Sequence, residues 1–395
     1  MKRKKIILKA HEERRIKAGH LWAFSNEIDT LKSPLKEFSP GEIVDVYDFR
    51  ETPLGSAYVN PHSLICVRIF SKRIGANLNK NLIVERLKEA KRLREVFFDE
   101  PFYRAFYADA DRLPGLVLDR YDKLIVCQIY ACGLEKALPD LLDAICEVYK
   151  PEAILLKNDA PVRSLEGLDL YVDPIMGEVP EVITVPEGGL NFRAPLLSGQ
   201  KTGWYYDQRL NRDRLVRYIK NSSVLDCFCY VGAWGIRAFG FGAKELCFID
   251  SSSQAIDFVK ENVKLNQIDV PCDFIVDDAV EALTKLVEEG KKFDIVLLDP
   301  PALIKNKKFL HVGKQAYVKL NWLSMKLIKS GGFLVSSSCS YHLNEYELKD
   351  VIRRAALKEG RCVKIVEKGG QGLDHPIHPT IPESYYLKTY YVWIG

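Results

Sequence analysis

From about residue 190 to the end, short apolar runs alternate with amphipathic stretches, and this alternation constrains the fold more than any other feature. The runs are 224–226, 245–249, 272–276, 293–298 and 333–337. Stretches with helical spacing follow them at 234–240, 253–265, 278–288, 314–329 and 344–358. Parallel neighbours in a sheet need a crossover of roughly a dozen residues or more, and a helix usually supplies it. The alternation therefore predicts an α/β domain over 189–395: a mostly parallel, doubly wound, Rossmann-like sheet completed by a strand at 385–394.

The first half reads differently. Residues 1–75 hold β-type runs at 42–47, 55–59 and 64–70, punctuated by Pro40-Gly41, Pro53 and Asn60-Pro61, which predicts a small barrel-like β domain. Leu82, Leu87, Ala90, Leu93 and Phe97 fall at helical spacing within 77–98, a linking helix. Strands are then expected at 106–109, 116–121, 124–130 and 153–156, with a turn at 111–115 and a helix at 137–148. The expected domains are thus 1–75, an α+β region with its linking helix at 76–188, and 189–395. A chain of 395 residues suits two or three domains, and 47% hydrophobic with 28% charged residues excludes a disordered or collagenous chain.

No window approaches 18 apolar residues, and the basic start has no apolar leader core, so a cytoplasmic protein is expected, with no membrane partner. The ten cysteines are scattered and form no C-x-x-C, which argues for reduced, mostly buried thiols and against a metal cluster. A net charge of +4 is modest, but the basic excess is concentrated in residues 1–75. A basic appendage on a nearly neutral body suits a phosphate-rich partner.

The segment Val224-Leu225-Asp226-Cys227-Phe228-Cys229-Tyr230-Val231-Gly232-Ala233-Trp234-Gly235 carries the strongest chemical signal. A strand ends in a carboxylate, a glycine-containing turn follows, and a helix begins. Gly232 and Gly235 are expected to let backbone approach a ligand at the helix start. Asp250, 24 residues after Asp226, closes the next strand, where an acid can accept from ribose hydroxyls. Asp278 follows the third strand, near the expected place of an adenine ring. The dinucleotide fingerprint G-x-G-x-x-G is absent, and an acid ending the first strand suits a cationic amino-acid moiety better than a pyrophosphate. These features favour S-adenosylmethionine over a nicotinamide dinucleotide.

Asp299-Pro300-Pro301 ends the fourth strand, at the edge of the expected ligand crevice. Amino-methylating enzymes usually continue such a loop into an aromatic residue that stacks on the base; here Ala302 follows. Ser338-Cys339-Ser340 follows the fifth strand, and Cys339 is the one cysteine set on a small, polar strand-end loop. A thiol there can attack C6 of a pyrimidine and make C5 nucleophilic enough to take a methyl group. His342 lies near enough in sequence to be considered for activating Cys339, and no histidine shows metal-ligand spacing. Residues 199–212, rich in glycines, aromatics and charges, are a candidate flap over the cofactor.

Together these segments resemble the bacterial large-subunit ribosomal RNA cytosine-5 methyltransferases, built from a PUA domain, an α+β central domain and a class I methyltransferase domain. The resemblance spans nearly the whole chain. It lies in Gly19-His20-Leu21-Trp22-Ala23-Phe24-Ser25-Asn26-Glu27-Ile28, in Asp111-Arg112-Leu113-Pro114-Gly115, in Lys201-Thr202-Gly203 through Asp207-Gln208-Arg209, in the glycine loop, and in the Asp-Pro-Pro and Ser-Cys-Ser segments. It implies Cys339 as nucleophile and Asp207, Asp226, Gly232, Asp250 and Asp278 around the cofactor. The expected catalytic pair is Cys339 with Asp299, and the expected cofactor site adds Tyr206, Gln208, Phe228, Ser251 and Asp299. The implied substrate is a cytosine in ribosomal RNA of the large subunit (23S), free or in an assembling particle, gripped in part by the PUA-like domain; a homodimer is among the expected partners. At Leu210 relatives commonly carry a second acid. Asp-Pro-Pro also occurs in enzymes that methylate other base positions, so another base or atom, or a noncatalytic RNA-binding protein, stays open.

Overall fold

The structure is a computed structural model and describes residues 3–199, 201–304 and 306–395. Of the candidate flap, Gln200 lies outside the described residues. The chain divides into two compact units, one of residues 1–181, 195–204 and 373–384, the other of 182–194, 205–372 and 385–395.

The first unit holds two five-stranded sheets. In one, Lys5–Ile7, Glu42–Tyr47, Pro53–Val59, Val67–Ser71 and Trp22–Ala23 lie side by side in that order. Ile6, Val44, Val46, Ala57, Val59 and Ile69 point from these strands into one apolar core. In the other, Tyr171–Met176, Ala153–Asn158, Leu124–Ile129, Leu116–Tyr121 and Phe102–Tyr107 are adjacent, with helices Lys80–Arg94 and Leu138–Tyr149 sharing their core.

The expected strand at 106–109 is displaced: the strand is Phe102–Tyr107, and Ala108–Asp111 winds into a short 3-10 turn. Polar anchors account for this. Asp109 accepts from the Trp22 indole at 2.6 Å, and Asp111 takes two hydrogen bonds of 2.7 Å from the buried Arg94 guanidinium. A straight strand over these residues would break both sets of bonds.

The second unit contains a seven-stranded sheet: β1 Ser223–Cys227, β2 Glu245–Asp250, β3 Cys272–Val276, β4 Phe293–Leu298, β5 Ile328–Ser338, β6 Val363–Gly370 and β7 Lys388–Ile394. Their spatial order is β3-β2-β1-β4-β5-β7-β6, parallel through β5, with β7 antiparallel to both of its neighbours. This is the predicted doubly wound, Rossmann-like architecture. The direction of winding reverses between β1 and β4, which opens a ligand crevice at their carboxyl ends. β4 is apolar nearly throughout because helices cover both faces of such a sheet.

Local sequence sets the crossovers. Ser252 accepts from the Ala255 N–H to start the helix Ser253–Leu265, and Asn344 with Glu347 forms a capping box for Glu345–Glu359. The helix Leu310–Leu327 lays Tyr317, Leu320 and Leu323 into the core with Val296, Leu298 and Leu334. Among the described residues, no helix is long and apolar enough to cross a membrane.

Candidate active site

The strand ends bring the predicted acids to one edge of the sheet. Asp226 sits near the end of β1, beside Phe248 of β2 and Leu297 of β4, and is 1% exposed. One of its oxygens accepts from the Gly235 N–H at 2.8 Å, while the other, Oδ1, is buried and has no hydrogen-bond partner among the described residues. Burial, followed by the nearby charges of Asp299 and Asp250, pushes this carboxyl up to about 8. An orphaned, buried, electron-rich oxygen of this kind fits a cationic ligand group, such as the ammonium of a methionyl moiety.

The turn after β1 is conformationally costly. Phe228 and Tyr230 hold positive φ of 61° and 50°, and Gly232 holds 82° at the start of the helix Ala233–Gly240. Non-glycine residues held there cost about 1–3 kcal/mol each, and such strain tends to gather at functional sites. The Tyr230 N–H donates to Asp250 at 3.0 Å, and Asp250 also accepts from the Ser252 N–H at 3.0 Å. Ser251, exposed, follows directly. Gly235 departs from expectation, because a Cβ there would lie 2.4 Å from the Phe248 ring. Its missing side chain serves the close approach of helix to sheet.

Asp278 lies just past β3, exposed, with its carboxylate accepting from the Val280 N–H at 2.8 Å as a helix cap. Asp299, after β4, accepts from the Gln208 side-chain amide at 2.8 Å and from the Trp234 indole at 3.1 Å. Gln208 in turn accepts from Asn211 at 2.6 Å, and Tyr386 donates its hydroxyl to Asp207. Tyr206 is buried beneath the Arg209 guanidinium, 4.9 Å from its ring centre. These residues share a foundation: Arg212 forms a bidentate pair with Glu187 at 2.6 and 2.7 Å and donates to the Tyr205 carbonyl at 3.0 Å. The Tyr205 phenol is pushed up by burial and then by Asp207, Asp299, Cys339 and Asp250, so four candidate site groups act on one buried ring.

Cys339 follows β5, partly buried, with its sulfur 3.9 Å from the Pro300 carbonyl oxygen. Its neighbours are tied down. The Ser338 hydroxyl donates to Tyr317 at 2.9 Å, the Ser340 hydroxyl lies 3.1 Å from the same phenol, and the Ile304 N–H donates to Ser340 at 3.2 Å. His342, considered as an activator, packs its ring on Tyr341, and among the described residues no hydrogen bond joins it to Cys339. Sequence reasoning held Tyr205 within the candidate flap and Trp234 within the strongest motif without assigning either a role, and it missed Tyr386 and Lys388 as members of this neighbourhood. Tyr386 and Lys388 lie in an aromatic-rich run that carries no local signal.

The PUA-like domain family matches residues 6–72, and a family described as conserved hypothetical protein 95 matches residues 212–327. Among solved structures, a methyltransferase complexed with SAH aligns with a TM-score of 0.86 at 20% identity, over 99% of this chain and 100% of its own. A SAM-dependent methyltransferase from Streptococcus mutans aligns at 0.85 and 19%, again over 99% and 100%. These matches show the fold. Curated relatives go further: ribosomal RNA large subunit methyltransferase I of Vibrio vulnificus is 34% identical over 97% of both chains. Its counterpart in Tolumonas auensis is 35% identical over the same shares. Identity at that level along nearly the full length of both partners means that this chain belongs to the ribosomal RNA large subunit methyltransferase I family.

Proposed function

We propose that the protein methylates C5 of a cytosine in large-subunit ribosomal RNA through a covalent adduct between Cys339 and C6. The observation that carries this reading is the place of Cys339: a thiol on a loop pinned by Tyr317, at the end of β5 and against the Asp299-Pro300 turn. S-adenosylmethionine, when bound, supplies an electrophilic methyl group. The chain's part is to hold it and to activate the base. Asp226 meets the cationic end, with the Phe228–Gly232 turn, Asp250, Ser251 and Asp278 along the edge and Tyr206, Asp207 and Gln208 beside it.

Asp299, aimed by Gln208 and Trp234, meets the base near N3. The Cys339 thiolate adds to C6 as Asp299 gives a proton to N3, and electron density moves to C5, which takes the methyl group. Removal of the C5 proton expels the thiolate, and N3 returns its proton to Asp299, which restores the ring. The target base must leave its stack to reach an enclosed thiol, so unpaired or splayed RNA is the form acted on. The PUA-like domain and its basic excess hold the RNA backbone.

Nucleoside mass spectrometry on unmodified ribosomal RNA, incubated with isotope-labelled S-adenosylmethionine, tests this. Wild type is expected to give labelled 5-methylcytosine and Cys339→Ala none. Label on another nucleoside, or equal labelling by the variant, overturns the proposed chemistry.

A further inference from the structure

We infer that Lys388 is a positioning residue for Cys339: its buried ammonium favours the thiolate electrostatically, while its hydrogen bond to the Ser340 carbonyl fixes the loop that carries the sulfur. The inference rests on the proposed role of Cys339.

Lys388 is the first residue of β7 and lies directly opposite Ser338, the last residue of β5. It is 2% exposed, rare for a lysine, and its Nζ donates to the Ser340 carbonyl at 2.7 Å. Its hydrogen bond and those of Tyr317 therefore grip the residues on both sides of Cys339. Among the described residues Lys388 makes no ion pair. The carboxylates whose charge it feels, Glu345 and Glu347, are committed elsewhere. Glu345 accepts from Lys368 and, at 2.7 Å, from the Tyr385 hydroxyl, and Glu347 closes the capping box of its own helix. A buried ammonium without a carboxylate is costly unless another anion faces it.

The thiol of Cys339 supplies that anion. Burial pushes the Lys388 ammonium down to about 8, and of the groups opposing that shift Cys339 is the strongest, ahead of Glu345 and Glu347. A positive charge beside a thiol favours its thiolate, the form that attacks carbon. Lys388 keeps its proton throughout, and the thiol proton leaves to solvent as the thiolate forms. Addition to C6 consumes the thiolate and leaves the ammonium in place, and elimination returns the thiolate to it. Tyr317, whose phenol is pushed up by burial to about 12, stays neutral and contributes only hydrogen bonds.

The test is the pH profile of Cys339 alkylation by iodoacetamide in the full-length protein, read by peptide mass spectrometry, for wild type, Lys388→Met, Lys388→Gln and Lys388→Arg. Losing the charge is expected to raise the midpoint by about one pH unit and to slow alkylation at neutral pH roughly tenfold. Lys388→Arg should keep the low midpoint, and exposed Cys362 should react alike in all four. Lys388→Gln retains a donor for Ser340 without the charge, so it separates electrostatics from loop geometry and serves if the Met variant fails to fold. Superimposed Cys339 profiles for wild type and a folded Met or Gln variant overturn the inference. Because alkylation needs no RNA, failure of the cytosine reading in the nucleoside assay leaves this result independently readable.

Discussion

Asp226 makes the sharpest quantitative prediction. Its carboxyl is held at about 8, by burial first and then by Asp299 and Asp250. In the unfolded chain an aspartate titrates at about 3.9. Between those values the folded state keeps a proton that the unfolded state has lost, so this group makes stability fall as pH rises from about 4 to 8, by at most about 1.4 kcal/mol per unit. A cationic ligand group requires the carboxylate, so binding must expel that proton. Affinity for S-adenosylhomocysteine should therefore climb up to about tenfold per pH unit between 6 and 8 and level off above. Calorimetry at pH 6.5 in phosphate and in Tris should show a buffer-dependent heat corresponding to nearly one proton released per ligand. Asp226→Asn should bind weakly, lose the pH dependence of affinity, and lose the matching slope in thermal stability. A flat affinity from pH 6 to 8 with buffer-independent heat in wild type would refute the assignment of Oδ1 as the ligand's cation acceptor.

Other expectations follow from packing and charge. Arg212→Met leaves Glu187 buried without its main partner and should cost about 3–5 kcal/mol in urea unfolding, with Glu187→Leu in the same chain recovering much of it. Gly235→Ala forces a methyl group against the Phe248 ring and should lose about 1–3 kcal/mol, relieved in a Phe248→Leu background; an unchanged melt would show that the helix shifts freely. RNA affinity should fall log-linearly with salt, and Arg14→Gln, on an exposed basic turn, should lower the slope by about 0.7–1 if that side chain meets a phosphate. Salt-insensitive binding would remove the first domain from the RNA interface.

The α/β order of the second unit could be read from residue pattern alone because each element there has a strong local cause. Cys272–Val276 and Phe293–Leu298 are short β-type runs, and Ser253–Leu265 has helical spacing behind a Ser252 cap. The acids at the strand ends were visible for the same reason, since a parallel sheet places residues that end successive strands along one edge. Strands such as Tyr171–Met176 and Val363–Gly370 escaped notice because they are largely exposed and carry no alternation, so only pairing with a neighbour makes them strands. The last strand begins at Lys388, after Tyr385 and Tyr386 have spent their hydroxyls on Glu345 and Asp207, partners far away in sequence.

The site divides the same way. Which groups can carry charge or act as a nucleophile is a property of residue type, so Cys339, Asp226 and Asp299 could be named as candidates from the sequence. Their condition is a property of the surroundings. The upward shift of the Asp226 carboxyl comes from burial and from two other acids, the aim of Asp299 from Gln208 and Trp234, and the setting of Cys339 from Tyr317 and from a lysine 49 residues away that β5–β7 pairing brings to its loop. Solvent exclusion and long-range pairing are cooperative results of the whole fold, and no local stretch of chain encodes them.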